Sequence, residues 1–310
     1  MSESSAIQPV KYVTHACAWL LACAGVLAVD FMISLAAGLA IGVLGAMGDT
    51  FLPVRLDEDQ LVNVMQVVMQ VMAFTVALIW FSCLRGKRDS GKTFSRRREA
   101  SCRLGRSAGA IASRVALVIA AGFALQVFIG FASDAVLAYF PDVARDYAEL
   151  MDDAGMNEIA LLPVLATVIG APVSEELMIR GVLFEFALRA FNQERDATPG
   201  MRSRGFWAAN IVQAAAFGIM HMNIVQGCYA FVAGLALGWV FYRTGRVRYS
   251  ILLHFAFNAG SYLMGVLGFI QTPLQVTLAL IVSGVALIAL LRRFDRELDE
   301  GQTRHPAAAR

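Results

Sequence analysis

Long apolar stretches separated by short polar connectors run through the chain, and their lengths predict its elements. A transmembrane helix needs about 20 mostly apolar residues. Eight segments qualify: 16–47, 61–84, 112–140, 159–190, 206–222, 225–242, 250–270 and 274–291. The first and fourth exceed a straight crossing, so they are expected to tilt, kink or project beyond the bilayer. Pro172 supplies a kink in the fourth, because a proline has no N–H to give and frees a backbone carbonyl in the preceding turn. The run 16–47 follows Lys11, is longer than a signal-peptide core and lacks a cleavage site, so it is expected to remain as a first helix. The predicted fold class is all-α, a polytopic transmembrane helical bundle of about eight spans.

Composition agrees with that class. Hydrophobic residues make up 58% of the chain and charged ones 16%, and the mean hydropathy of +0.61 is too high for a soluble globular domain. The net charge of +2 does not point to nucleic acid, since the basic residues concentrate beside the spans, where topology accounts for them. The five cysteines (17, 23, 83, 102 and 228) form no CxxC pair and suggest neither a disulfide framework nor a thiolate metal site.

Between Arg85 and Arg114 lie ten Lys or Arg against only Asp89 and Glu99, which makes this loop cytoplasmic by the positive-inside rule. The connectors on the other side are acidic, with Asp49, Asp57, Glu58 and Asp59 in one and Asp142, Asp146, Glu149, Asp152, Asp153 and Glu158 in the other. Arg195, Arg202, Arg204, Arg243, Arg246, Arg248, Arg292 and Arg293 all fall on the cytoplasmic side of an eight-span arrangement with both termini inside. The expected organisation is a cytoplasmic segment 1–15, N-terminal transmembrane helices 16–140 carrying the basic loop 85–114, a membrane core 141–291, and a polar cytoplasmic tail 292–310, fraying from Asp295 to Arg310. The expected location is a bacterial inner membrane. Gly234 and Gly238 form a GxxxG whose expected use is helix packing within the chain.

The chemistry is concentrated in the core. Glu175 and Glu176 sit side by side in APVSEELMIRG, and a charge in hydrocarbon costs about 2.5 kcal/mol or more even on lenient scales, so such residues normally serve a function. Helical geometry puts Glu176 and Arg180, four apart, on one face and turns Glu175 away. Arg180 then neutralises Glu176, and Glu175 remains available as a general base that takes a proton from water and later delivers it. His221 ends FGIMH one turn after Phe217, and His254 opens HFAFN one turn before Asn258. His254 and Asn258 would offer hydrogen bonds to a carbonyl becoming tetrahedral, with His221 helping Glu175 hold the attacking water. Glu175, His221 and His254 are equally the ligand types of a catalytic zinc. Asp30 and Asp134 are lone intramembrane acids, read as water-facing or hydrogen-bonded structural groups. Glu185 and Arg189 read as an ordinary i, i+4 pair.

EELMIR, FGIMH and HFAFN resemble, in order, the EExxxR, FxxxH and HxxxN motifs of the CPBP (Abi) family, which includes type II CAAX prenyl endopeptidases and bacteriocin-related processing proteases. The resemblance makes 141–291 a CPBP-like protease core. It implies a catalytic Glu175, a supporting Glu176, Arg180 and Phe217, a first histidine His221, and His254 with Asn258 as the last motif. It also implies an intramembrane endopeptidase acting on a membrane-embedded or lipidated peptide, such as a prenylated CAAX tail or a leader peptide. Two mechanisms go with the family: a metalloprotease, and a glutamate-activated water with His and Asn at the oxyanion. One unpaired carboxylate and two histidines favour the second.

No HExxH and no GxSxG occurs. A proton-coupled transporter with a Glu/His relay, and a non-catalytic scaffold or immunity protein, are the competing classes. The motifs also pose a problem of depth. At about 1.5 Å per residue Glu175 lies roughly 21 Å from Arg189 and His221 roughly 26 Å from Arg204, but His254 only about 9 Å from Arg248. Either the 243–249 connector dips into the membrane or the fifth span begins well above it, and a water-filled cavity open to the cytoplasm is expected.

Overall fold

The computed structural model describes residues 4–51, 58–86, 93–102, 104–105, 107–153, 161–192 and 204–304. Among the described residues the regular structure is helical throughout. In chain order the helices are α1 (Ser4–Phe51), α2 (Glu58–Gly86), α3 (Phe94–Ser101), α4 (Ala108–Leu137) and α5 (Pro141–Asp153). They continue with α6 (Leu161–Ala190), α7 (Arg204–Met220), α8 (Ile224–Thr244), α9 (Val247–Val266) and α10 (Pro273–Arg304).

All eight apolar segments are helical over most of their described length, with 138–140, 221–222 and 267–270 in turns or irregular backbone; residues 159 and 160 of the fourth lie outside the described residues. α1, α2, α4, α6, α8 and α10 are long and apolar enough to cross a membrane. α7, with 17 residues, and α9, with 20, fall short of that length or apolarity. These two carry the histidine motifs. The chain is an integral membrane protein. Its outer surface shows why: Leu21, Phe31, Met32 and Leu39 on α1, and Ile281, Val282 and Val285 on α10, all stand exposed. Water would not tolerate so continuous an apolar surface on a monomer.

α6 lies at the centre, with Met178, Ile179, Val182, Leu183 and Phe184 buried, and packs against α1, α2, α7 and α9. α4 packs along α9 and α10, and α7 along α8. Small residues permit the close crossings. A Cβ on Gly122 of α4 would stand 2.4 Å from the Leu253 carbonyl oxygen of α9. On α8 a Cβ at Gly238 would meet Asn210 Oδ1 at 2.1 Å, and one at Gly234 would meet Ala214 of α7 at 3.1 Å. The GxxxG therefore joins α7 to α8 within the chain.

The basic ends of the helices are closed by α3. Phe94 stacks on Tyr242, which stacks in turn on Phe206, with ring centroids 4.8 and 4.1 Å apart. The Phe94 N–H donates to Glu185 at 2.8 Å, Ser95 Oγ to the Gly245 carbonyl at 2.7 Å, and Arg98 Nε to the Arg243 carbonyl at 2.9 Å. The turn between α8 and α9 is thus recessed beneath α3. Gly245 makes it possible: its φ of 68° is a left-handed C-cap, and a Cβ there would press within 3 Å of Arg98 and Glu99. The connector between α8 and α9 is covered by protein on that side. The tail departs from expectation. Rather than fraying, α10 runs to Arg304, buries Phe294 and Leu298, and pairs Asp295 and Asp299 with Arg243. Residues 305–310 lie outside the described residues.

Candidate active site

The site begins with the local backbone of α6. Two of its turns are π-helical, Leu165–Gly170 and Leu177–Leu183, and Ala171–Glu176 between them is α-helical. Such π turns are concentrated at functional sites, where they re-aim side chains. The first has an identifiable cause. Ala171 N–H bonds back five residues to the Ala166 carbonyl, and the same pattern would pair residue 172 with Thr167; Pro172 has no N–H, so the Thr167 carbonyl is left over. Asn258 Nδ2 of α9 donates to that carbonyl at 2.7 Å. Proline frees a carbonyl as expected, and a side chain from another helix takes it.

Glu176 and Arg180 are wholly buried and paired at 2.9 Å. The guanidinium also lies 4.4 Å over the Phe217 ring and reaches the Gly234 carbonyl at 3.4 Å. Phe217 in turn meets both imidazoles edge-on, His221 at 5.0 Å and His254 at 5.6 Å between centroids. One phenyl ring therefore spaces the cation and the two histidines.

His254 sits between the two glutamates, its Nδ1–H donating to Glu176 Oε1 at 3.0 Å and its Nε2 lying 3.8 Å from Glu175 Oε2. His221 donates its Nδ1–H to the Phe217 carbonyl at 2.8 Å; a carbonyl only accepts, so in the neutral ring Nε2 carries the lone pair. Glu175, His221, Asn258 and Phe217 line one cavity of about 830 Å³. His254, with Glu176 and Arg180, is packed behind its wall.

Sequence reasoning passed over much of the remaining lining. Asp30 of α1 and Asp134 of α4 face the same cavity as Glu175, which fits the water-facing reading of both. Gln70 of α2 lines it too, and Ser174 Oγ donates to the Gln70 amide oxygen. Tyr229 of α8 and Tyr147 of α5 approach each other at 3.4 Å between hydroxyls in the same wall. For Gln70, Ser174 and Tyr229 the only signal in the sequence was polarity inside apolar runs, and Tyr147, in the acidic connector, carried none. Glu185, read as an ordinary pair with Arg189, also anchors α3.

A zinc site would need Glu175, His221 and His254 to converge on one point, but among the described residues no three His, Cys, Asp or Glu side chains do so. The donor set as folded does not fit a metal. Among the described residues the lining comes from the helix halves that point away from the basic connectors, and α3 covers the end where those connectors gather.

Fold and site together define an all-helical integral membrane protein with a buried Glu–Arg–His cluster beside a polar intramembrane cavity. Residues 157–260, which contain all three motifs, match the family model described as type II CAAX prenyl endopeptidase Rce1-like. That match agrees with the CPBP resemblance over this stretch, about a third of the chain. Comparison with curated proteins and with solved structures gave no match. α1 to α5 lie ahead of the matched stretch, yet α1, α2, α4 and α5 all contribute to the cavity wall.

Proposed function

We propose that the protein is an intramembrane endopeptidase that hydrolyses a peptide bond in a membrane-bound substrate, using water activated by Glu175. The observation that carries this reading is the arrangement of Glu175 and the His221 imidazole on one cavity, with His254 and the Glu176–Arg180 pair directly behind Glu175. In this scheme Glu175 takes a proton from a water held also by His221 Nε2. The water oxygen bonds to the carbonyl carbon while the carbonyl oxygen gains the charge. The second N–H of Asn258 stabilises that oxyanion, joined by the Nε2–H of His254 when that ring, whose Nδ1–H is given to Glu176, is protonated on both nitrogens, and Glu175 then delivers its proton to the departing amine nitrogen as the C–N bond breaks. Arg180 holds Glu176, and Glu176 holds His254. The family name makes a prenylated CAAX tail one substrate class, and a leader peptide is another.

Reconstituted Glu175→Gln protein tests the reading: it should retain its folded stability and lose peptide cleavage, and the wild type should carry no proton flux. Cleavage surviving in that variant would end the proposal. Asp30, Asp134 and Glu175 on one cavity also suit a proton relay. Proton flux in the wild type that Glu175→Gln abolishes, without any cleavage, is what that reading requires.

A further inference from the structure

The cavity has a side. Its wall is drawn from Ser34 on α1, Gln66 on α2, Leu137 on α4, Gln226 on α8 and Ser261 on α9, all in the halves of their helices that point away from α3. At the other end the helices are tied together under α3, whose Arg98, Ser95 and Phe94 bond to α8, to the turn after it and to α6. Arg85 and Arg246 both pair with Glu99 across the same seal. No lining residue belongs to it.

Across the cavity end lies α5. Tyr147 and Met151 on one of its faces line the cavity, while Asp142, Arg145 and Asp146 on another stand 83, 63 and 72% exposed in their side chains. An amphipathic helix of this kind lies flat at a membrane surface with its charges in water. The basic connectors gather at the sealed end, and basic connectors face the cytoplasm.

The lining also describes what it would hold. Gln70, Gln126 and Gln226 line it with amides; Gln70 Oε1 already accepts from Ser174 and Gln226 Nε2 donates to Met151 Sδ, and the donors and acceptors that remain suit the unpaired backbone of an extended peptide rather than a helix whose own bonds are closed. Met69, Met151, Met178, Met220 and Met264 fill the apolar part. Methionine walls adapt to side chains of different shape.

We infer that the substrate reaches Glu175 from the extracytoplasmic side, past α5. The substrate class is then a membrane-anchored polypeptide whose cleaved segment is extended and extracytoplasmic, with little demand on side-chain identity, rather than a cytoplasmic carboxyl-terminal tail. The substrate half of this inference rests on the endopeptidase reading; the direction of access does not.

The test has two arms, both on the full-length protein in membrane vesicles. In a cysteine-free background, Ser261→Cys marks the cavity side and Ala100→Cys marks α3. A membrane-impermeant maleimide should label the first in right-side-out vesicles and the second only in inverted ones. Labelling of Ser261→Cys from the cytoplasmic face overturns the inference whatever the chain's activity. The second arm offers a single-span reporter carrying one flexible peptide at either end of its anchor. At least tenfold faster cleavage is expected when the peptide is extracytoplasmic, and equal or reversed preference overturns the substrate class. If the endopeptidase reading itself fails, wild type and Glu175→Gln behave alike in this arm, and the labelling still decides the direction of access.

Discussion

Asn258 is the residue whose role is most sharply testable. Its Nδ2 satisfies the Thr167 carbonyl that Pro172 cannot reach. Asn258→Ala would leave that carbonyl unpaired in the bundle, at a cost of about 1–3 kcal/mol. Pro172→Ala alone should change stability by less than about 1 kcal/mol, the size of the chain entropy that a proline restricts. Combined, the two should compensate: an alanine in place of Pro172 brings the N–H that continues the five-residue pattern of Ala171, and Thr167 is paired again within its own helix. Thermal unfolding of the detergent-solubilised proteins should therefore show the double variant above Asn258→Ala, with a coupling of about 1–2 kcal/mol. Strictly additive losses would refute the account of the π turn. Cleavage separates the two roles given to this residue. A lost oxyanion donor lowers kcat by about 10²–10³, and that deficit should persist in the double variant after stability returns. Return of kcat to near the wild-type level would reduce Asn258 to a positioning residue.

Arg180→Met strands the buried Glu176 carboxylate and should cost about 3–5 kcal/mol in thermal unfolding; a loss below about 1 kcal/mol would show that the pair is solvated. Gly122→Ala drives a methyl group into the Leu253 carbonyl, one residue before His254. It should cost about 1–3 kcal/mol and lower kcat with little change in KM, and an unchanged kcat would mean that α9 yields without moving the imidazole. At the seal, burial pushes the Glu99 carboxyl up, but the Arg85 hydrogen bond and the charges of Arg85, Arg246 and Arg248 outweigh it and hold the group below the usual carboxylate range. A depressed value in the folded state means stability that is present at neutral pH and lost as pH falls through the acid range below about 4. The melting temperature of Glu99→Gln should depend less on pH there, and a profile superimposable on the wild type would contradict the role given to this group.

Helix positions were readable because a bilayer accepts only long apolar helices, so span length alone carries the information. α3 escaped that reading. FSRRREAS has no apolar periodicity, and only its docking into the recess above Gly245 gives it a reason to be ordered. The end of α10 escaped for the same reason, since its polar residues are held by Arg243 from another helix.

The pairing of Glu176 with Arg180 followed from helical spacing, and Phe217 and His221 from theirs, because partners four residues apart meet whatever surrounds them. Everything between helices required the fold. No spacing rule could tell that His254 bridges both glutamates, that Asn258 answers a proline 86 positions earlier, or that Asp30 faces the cavity. The side on which the cavity lies was likewise undetermined, because it depends on which ends of the helices α3 closes. What this chain settled by itself is the set of groups and their neighbours along each helix, which local geometry dictates. Which of those groups share one space was settled only by the packing of separate helices, because contacts between them depend on depth, crossing and register that no single segment encodes.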